Sequence, residues 1–230
     1  MKTFYRNSKR ERFVHWTHLI ATALLFFTGL TWYWPWLARL IGGYRVTMLV
    51  HRAAALVFIA VPLIMVIINW KGFIKFIKEI THWTMVDTKW MALFPLYVLT
   101  NTKTKMPLFE GKYNPGQKFN GGMTIGLCAL LGATGLVWVL FPGLSPREMV
   151  LLGWLHRMGA IVLLAMLGGH VVLGSGLYKP YRGMARTMFR DGCIDEKTAR
   201  KIWPAWAGEA TEVIEVKEDK KASETGGHVA

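Results

Sequence analysis

Apolar positions along the chain gather into four long blocks separated by polar stretches. The blocks cover roughly residues 13–36, 46–70, 119–141 and 148–178. A helix that crosses a bilayer needs about 20 mostly apolar residues, so each block predicts one spanning helix. The fourth is longer than a crossing requires, which predicts a tilt or an extension past the bilayer. Pro62 falls inside the second block. Spanning helices tolerate proline where neighbours re-satisfy the freed carbonyl, so a kink rather than a break is expected there. Residues 71–80 read KGFIKFIKEI, with apolar residues at 73, 74, 76, 77 and 80 and lysines at 71, 75 and 78. That spacing predicts an amphipathic helix lying on a membrane surface, with a plain continuation of the second helix as the alternative. No internal repeat stands out. The tail from about 208 is charged and lacks aromatics, so it is expected to be disordered. The pattern as a whole predicts an all-α integral membrane protein with four spans.

Charge adds an orientation. The 230 residues carry 28 Lys+Arg against 14 Asp+Glu, a net +14, although only 18% of them are charged and 53% are hydrophobic. So basic a balance suits nucleic acid, but its distribution points elsewhere. The first 12 residues hold five basic side chains, segment 71–118 holds eight and the tail beyond 178 holds ten. Segment 37–45 holds two and 142–147 only one. Lys and Arg favour the cytoplasmic side of a membrane. Both termini (1–12 and 179–230) and the inner loop at about 71–118 are therefore expected in the cytoplasm, around a four-span domain at 13–178. Membrane lipid is the expected partner of this charge, and nucleic acid is not. Trp32, Trp34 and Trp36 at one end of the first span and Trp70 at the inner end of the second read as interface anchors. The basic N-terminus followed by an apolar run imitates a signal peptide, but the run is too long and no small-x-small cleavage site follows. It reads as a retained helix. The two cysteines, Cys128 and Cys193, form no CxxC, which argues against cysteine-bound zinc, an iron–sulfur cluster or covalently attached haem in this chain.

The histidines supply candidate chemistry. Ionisable residues inside a span are costly and read as functional. Under the expected topology, His15 lies at the inner end of the first span and His51 at the outer end of the second. His156 lies near the outer end of the fourth, and His170 follows 14 residues later. Fourteen residues rise about 21 Å over nearly four turns, so His156 and His170 share a face in opposite leaflets. Each then has one histidine at its own depth: His51 with His156 outside, and His15 with His170 inside. Two such pairs suggest two bis-histidine b-type haems stacked across a four-helix bundle, because haem iron takes an axial ligand on each side of its ring. Zinc would need about four ligands in one place, and a proton relay would more often include an intramembrane carboxylate. His18, three residues beyond His15, competes for the same role. Arg52 and Arg157 directly follow the outer histidines; they suit haem propionates and lipid headgroups equally. His82 and His228 carry no special reading.

These residues resemble a known family. HWT at His15–Thr17, the histidine opening span two, GKYNPGQK at Gly111–Lys118 and the 14-residue step from His156 to His170 are similar to the gamma subunit of membrane-bound formate dehydrogenase, a four-helix dihaem cytochrome b556. The resemblance covers about residues 10 to 205. It implies a bacterial inner-membrane protein with two haems b, His15 and His170 on the inner haem iron and His51 and His156 on the outer. It selects His15 over His18. It implies a quinone, menaquinone or ubiquinone, near the inner haem, with Asn114 and Gly116 at quinone-contacting positions; Gln117 is added as an amide able to reach a quinone oxygen. The family usually has a small residue where this chain has Pro115, which stiffens the loop. The implied partners are an iron–sulfur beta subunit and a molybdenum- or tungsten-containing catalytic alpha subunit. The implied role is quinone-reducing electron transfer, with no formate-oxidising site in this chain. Related dihaem subunits serve nickel–iron hydrogenases and other quinone-linked oxidoreductases, which stay as alternatives beside a haem-free membrane anchor and a small transporter.

Overall fold

The computed structural model describes residues 2–100, 103–178, 181–209 and 213–215. Four of its helices are long and apolar enough to cross a membrane: α1 (Lys9–Leu30), α3 (Tyr44–Ile68), α6 (Pro115–Leu140) and α7 (Pro146–Gly174). All four start before the apolar block does, and local capping explains three of them. The Ser8 hydroxyl accepts from the Glu11 amide while the Glu11 carboxylate accepts from the Ser8 amide. Asn114 with Gln117 and Ser145 with Glu148 repeat this reciprocal cap, each with a proline at the first helical position. Such boxes satisfy the orphan amides of a helix start and begin the helix up to a turn early.

α1 ends at Leu30, short of the expected Trp36. A turn over residues 31–35 leads into the short α2 (Trp36–Ile41), which Gly42 and Gly43 end in the left-handed region at φ 104° and 93°. Trp32, Trp34 and Trp36 all stay exposed. α3 runs unbroken through Pro62. The chain then breaks at Asn69, whose side chain accepts from the Gly72 amide at 3.3 Å and starts a new helix, α4 (Trp70–Thr81). The lysine-studded segment is thus a separate amphipathic helix and not a continuation of α3. It turns Phe76 and Ile80 toward Gly121 of α6 and leaves Lys71, Lys75 and Lys78 exposed. A further helix, α5 (Met85–Leu99), follows, opened by a Thr84–Asp87 box.

The spans pair as two hairpins, α1 against α3 and α6 against α7. Midway along them, Ala21, Phe58, Leu127 and Leu163 form one apolar layer, one residue from each helix. Outward faces remain apolar and uncovered, as with Leu49, Leu56, Leu63 and Ile67 of α3. Such a face belongs in lipid rather than water.

The ends of the chain meet in a second core. Beyond α7 come α8 (Arg186–Phe189), β2 (Cys193–Asp195), α9 (Glu196–Ile202), α10 (Pro204–Glu209) and β3 (Val213–Glu215). β1 (Lys2–Tyr5) lies between β2 and β3 in an antiparallel sheet, with Phe4 opposite both Ile194 and Val213. Phe4, Trp90, Phe109, Ile194 and Trp203 fill this terminal core. The chain is otherwise helical, as expected, and this small sheet is an addition that the pattern does not predict. Three- and four-residue strands joined across almost the whole sequence leave no periodic signal. The expected disorder from about 208 also does not hold for Glu209, in α10, or for β3; the rest of that stretch lies outside the described residues.

Candidate functional site

His15, His51, His156 and His170 each face the partner that depth matching predicts. The ring centres of His15 and His170 lie 6.0 Å apart and those of His51 and His156 6.4 Å apart. Metal–nitrogen bonds of about 2.0 Å, with about 1.15 Å more from nitrogen to ring centre at each end, place two rings on one ion roughly 6.3 Å apart. Each pair of rings is thus spaced so that its histidines could hold one metal ion between them. Among the described residues, no third histidine, cysteine or carboxylate joins either pair to make a metal cluster. His18 turns away: its ring meets Phe58 edge-on at 4.2 Å, so His15 is the histidine of α1 that faces α7.

The apolar layer of Ala21, Phe58, Leu127 and Leu163 separates the two levels. Phe58 lies seven residues after His51, and Leu163 lies seven after His156 and seven before His170. Seven residues are close to two turns, so ligands and spacers line the same inner face.

The α2-side pair has a feature that the sequence reading missed. Thr28 of α1 places its hydroxyl 2.7 Å from His51 Nδ1, and Thr134 of α6 places its own 2.8 Å from His156 Nδ1. Both threonines are buried. A signal for them exists: residues 24–32 and 130–138 both read LLxxTGLxW, and each is followed on the next span by a His-Arg pair, at 51–52 and 156–157. The two hairpins therefore carry one short motif twice, contrary to the expectation of no repeat. Gly135, within it, leaves room beside the His156 ring. Of the arginines, Arg157 lies over the Trp32 ring at 5.0 Å, while Arg52 is exposed.

The GKYNPGQK segment forms the start of α6. Asn114 is buried and its side chain accepts from the Gln117 amide at 2.8 Å. Gly116 sits beside the Trp90 ring, where any side chain would meet indole atoms. Gln117 Oε1 accepts from the Asn114 amide at 3.1 Å and from Trp203 Nε1 at 2.9 Å. Its oxygen is committed to the fold, which leaves only the amide nitrogen for a quinone. Lys118 is buried; its ammonium donates at 3.0 Å to both Asp87 oxygens and to the His82 carbonyl. Burial works to raise the Asp87 carboxyl, but hydrogen bonds from Thr84 and Lys118 and the lysine charge outweigh it and hold the group below the ordinary carboxylate range.

Arg6 locks this segment to the tail. Its guanidinium stacks on Trp203 at 4.0 Å and Trp206 at 4.4 Å, and donates to the Lys112 carbonyl at 2.6 Å. Burial pulls Arg6 down to about 10 and pushes the neighbouring Tyr113 phenol up to about 12, so at neutral pH the arginine is charged and the phenol is not. A cavity of about 780 Å³ opens between α4, the start of α5 and residues 108–113, lined by Lys71, Lys75, Lys78, Glu79 and Lys112 among others. None of the four paired histidines lines it, nor do Asn114, Gly116 and Gln117.

The profile of the prokaryotic cytochrome b561 family matches residues 6–190. The chain is 26% identical over 234 residues, covering 98% of both chains, to the cytochrome b556(Fdn) subunit of nitrate-inducible formate dehydrogenase from Escherichia coli K12. The subunits of the same name from Escherichia coli O157:H7 and Shigella flexneri match to the same extent.

Proposed function

The chain belongs to the prokaryotic cytochrome b561 family, and from that premise we propose that it is the cytochrome b membrane subunit of a formate dehydrogenase, linking an iron–sulfur partner to quinone through two haems b. One observation carries the reading: two histidine pairs at two levels of a four-helix bundle, each with a gap sized for one iron. The choice of formate rests on the match along nearly the whole relative and on GKYNPGQK.

His15 and His170 would hold one haem, and His51 and His156 the other. Bound there, haem b supplies one-electron redox chemistry at iron. The residues do the rest. The four helices fix both ligand pairs, so the levels cannot drift apart. The layer of Ala21, Phe58, Leu127 and Leu163 keeps water out of the space between them. Arg157, held over Trp32, puts a positive charge near the α2-side pair, where propionates can accept from it. Quinone bound at the end that carries both termini would supply two-electron, two-proton chemistry there. Asn114 and Gly116 shape that site, and Gln117 contributes its amide nitrogen. With both termini in the cytoplasm of the bacterial inner membrane, the protons come from the cytoplasm while formate is oxidised outside by a molybdenum- or tungsten-containing alpha subunit. Charge is thereby separated across the membrane.

A dithionite-reduced minus oxidised spectrum with a pyridine haemochrome assay tests the reading. Two b-type haems per chain are expected. Alanine at His51 or His156 removes one haem, and alanine at His15 or His170 the other. Folded protein without haem, after expression with ample haem, would leave a membrane anchor instead. Formate-dependent but not hydrogen-dependent haem reduction in the native complex separates the formate reading from a hydrogenase subunit.

A further inference from the structure

The two histidine levels are not equivalent. Thr28 Oγ1 lies 2.7 Å from the Leu24 carbonyl as well as 2.7 Å from His51 Nδ1. Thr134 Oγ1 lies 2.8 Å from the Leu130 carbonyl and 2.8 Å from His156 Nδ1. A hydroxyl has one proton, and a carbonyl oxygen can only accept. Two oxygens at such a distance need that proton between them. The threonine therefore donates back to its own helix, and its lone pair is left to accept from the histidine. The imidazole must carry its proton on Nδ1, and Nε2 is the nitrogen with a free lone pair. Both threonines are buried, 5% and 4% exposed, so no water replaces them cheaply. The same device appears on both hairpins within LLxxTGLxW, with the histidine 23 residues later in one and 22 in the other. At the other level, among the described residues, neither His15 nor His170 has a hydrogen-bond partner on its ring; the two rings meet each other, and His15 also meets Trp16.

We propose that Thr28 and Thr134 are positioning residues that lock His51 and His156 as Nδ1–H tautomers with Nε2 offered to iron, and that the terminal-side pair has no such lock. A histidine that donates its second N–H to a fixed acceptor is oriented and becomes a stronger electron donor to its metal. A stronger donor favours the oxidised iron, so the lock lowers the reduction potential of the α2-side haem relative to the same site without hydroxyls. A lower potential at that level favours passing an electron on to the terminal side over holding it there.

The inference rests on the dihaem reading, and the test keeps the two apart. Thr28→Val and Thr134→Val remove the hydroxyl at constant shape, singly and together; Thr28→Ser and Thr134→Ser keep it. Each variant is titrated spectroelectrochemically, and the ferric low-spin signals are recorded by electron paramagnetic resonance. Single-ligand histidine variants assign each midpoint to a level. The valine variants are expected to raise the α2-side midpoint and shift that haem's resonance, with a larger effect in the double variant. The terminal-side haem stays where it was, and serine restores the native values. Loss of the α2-side haem in valine but not serine variants supports the same requirement for a hydroxyl. Unchanged midpoints and resonances in valine variants that hold both haems would overturn the inference, as would equal haem loss in valine and serine variants, which would trace to packing. Absence of haem from the unsubstituted protein would instead end the dihaem reading.

Discussion

Lys118→Met tests how the start of α6 is held. Lys118 gives all three ammonium protons to fixed acceptors, two Asp87 oxygens and the His82 carbonyl, each at 3.0 Å. Its side chain is 6% exposed and that of Asp87 only 2%. Breaking a buried pair from one side costs about 3–5 kcal/mol because the other charge is left behind. Asp87 keeps two hydrogen bonds from Thr84, at 2.8 and 2.9 Å, so the lower end applies. About 3 kcal/mol is roughly a hundredfold in a local opening equilibrium, at about 1.4 kcal/mol per tenfold. Hydrogen–deuterium exchange at the capping amides of Asp87 and Gln117 reads this directly. Both are expected to exchange roughly a hundredfold faster in Lys118→Met at neutral pH. Adding Asp87→Asn recovers part of the loss by removing the stranded charge. Because folding holds the Asp87 carboxyl below its ordinary value, its contribution is complete above about 3.9, the unfolded value, and fades as pH falls through the folded one. The thermal stabilities of the parent and Lys118→Met therefore converge in strong acid. Neutral-pH exchange within threefold of the parent, or a stability gap that persists in acid, would refute this account.

Arg6→Ala removes two indole stacks and a charged hydrogen bond. With desolvated cation–π contacts worth about 2 kcal/mol, the tail should loosen and trypsin should cut faster at Lys197 and Lys201; Arg6→Lys, without a planar face, recovers only part. Gly192→Ala places a side chain at φ 84° against the Asn7 carbonyl oxygen. It should lose the bonds from the Arg6 and Asn7 amides to the Gly192 carbonyl, cost more than the roughly 1–2 kcal/mol of left-handed strain alone, and show as early protease cleavage near the strand pair. His18→Ala should leave haem content unchanged, since its ring packs on Phe58; loss of one haem would return His18 to the ligand set.

The four spans and the pairing of histidines by depth were legible because both follow from length and rise alone. Span ends were less so: apolar runs mark where lipid contact begins, while Ser8, Asn114 and Ser145 mark where hydrogen bonding begins. α5 escaped notice although Thr84–Asp87 is an ordinary capping box, because its apolar residues surround the helix and give no one-sided stripe. Charge counting treated Arg6 and Lys118 as orientation signals, yet both are buried; a count cannot separate a solvated lysine from one that braces a helix. Gln117 looked free for a ligand because its Trp203 partner lies 86 residues away. The threonines were within reach: each hairpin carries the same motif, but period-based reading looks for faces and not for pairs of short words far apart.

The order of the small sheet has a consequence for biosynthesis. Its central strand precedes all four spans in the chain, and both of its neighbours come from beyond the last span. Chains are made from the N-terminus, so β1 must wait with two bare edges while all four spans enter the bilayer. Bare edges are templates for pairing with other chains and so for aggregation. Pairing of β1 thus cannot precede translation of Cys193. The sheet therefore closes only once the chain beyond the last span has been made, and a ribosome stalled after α7 would leave it open.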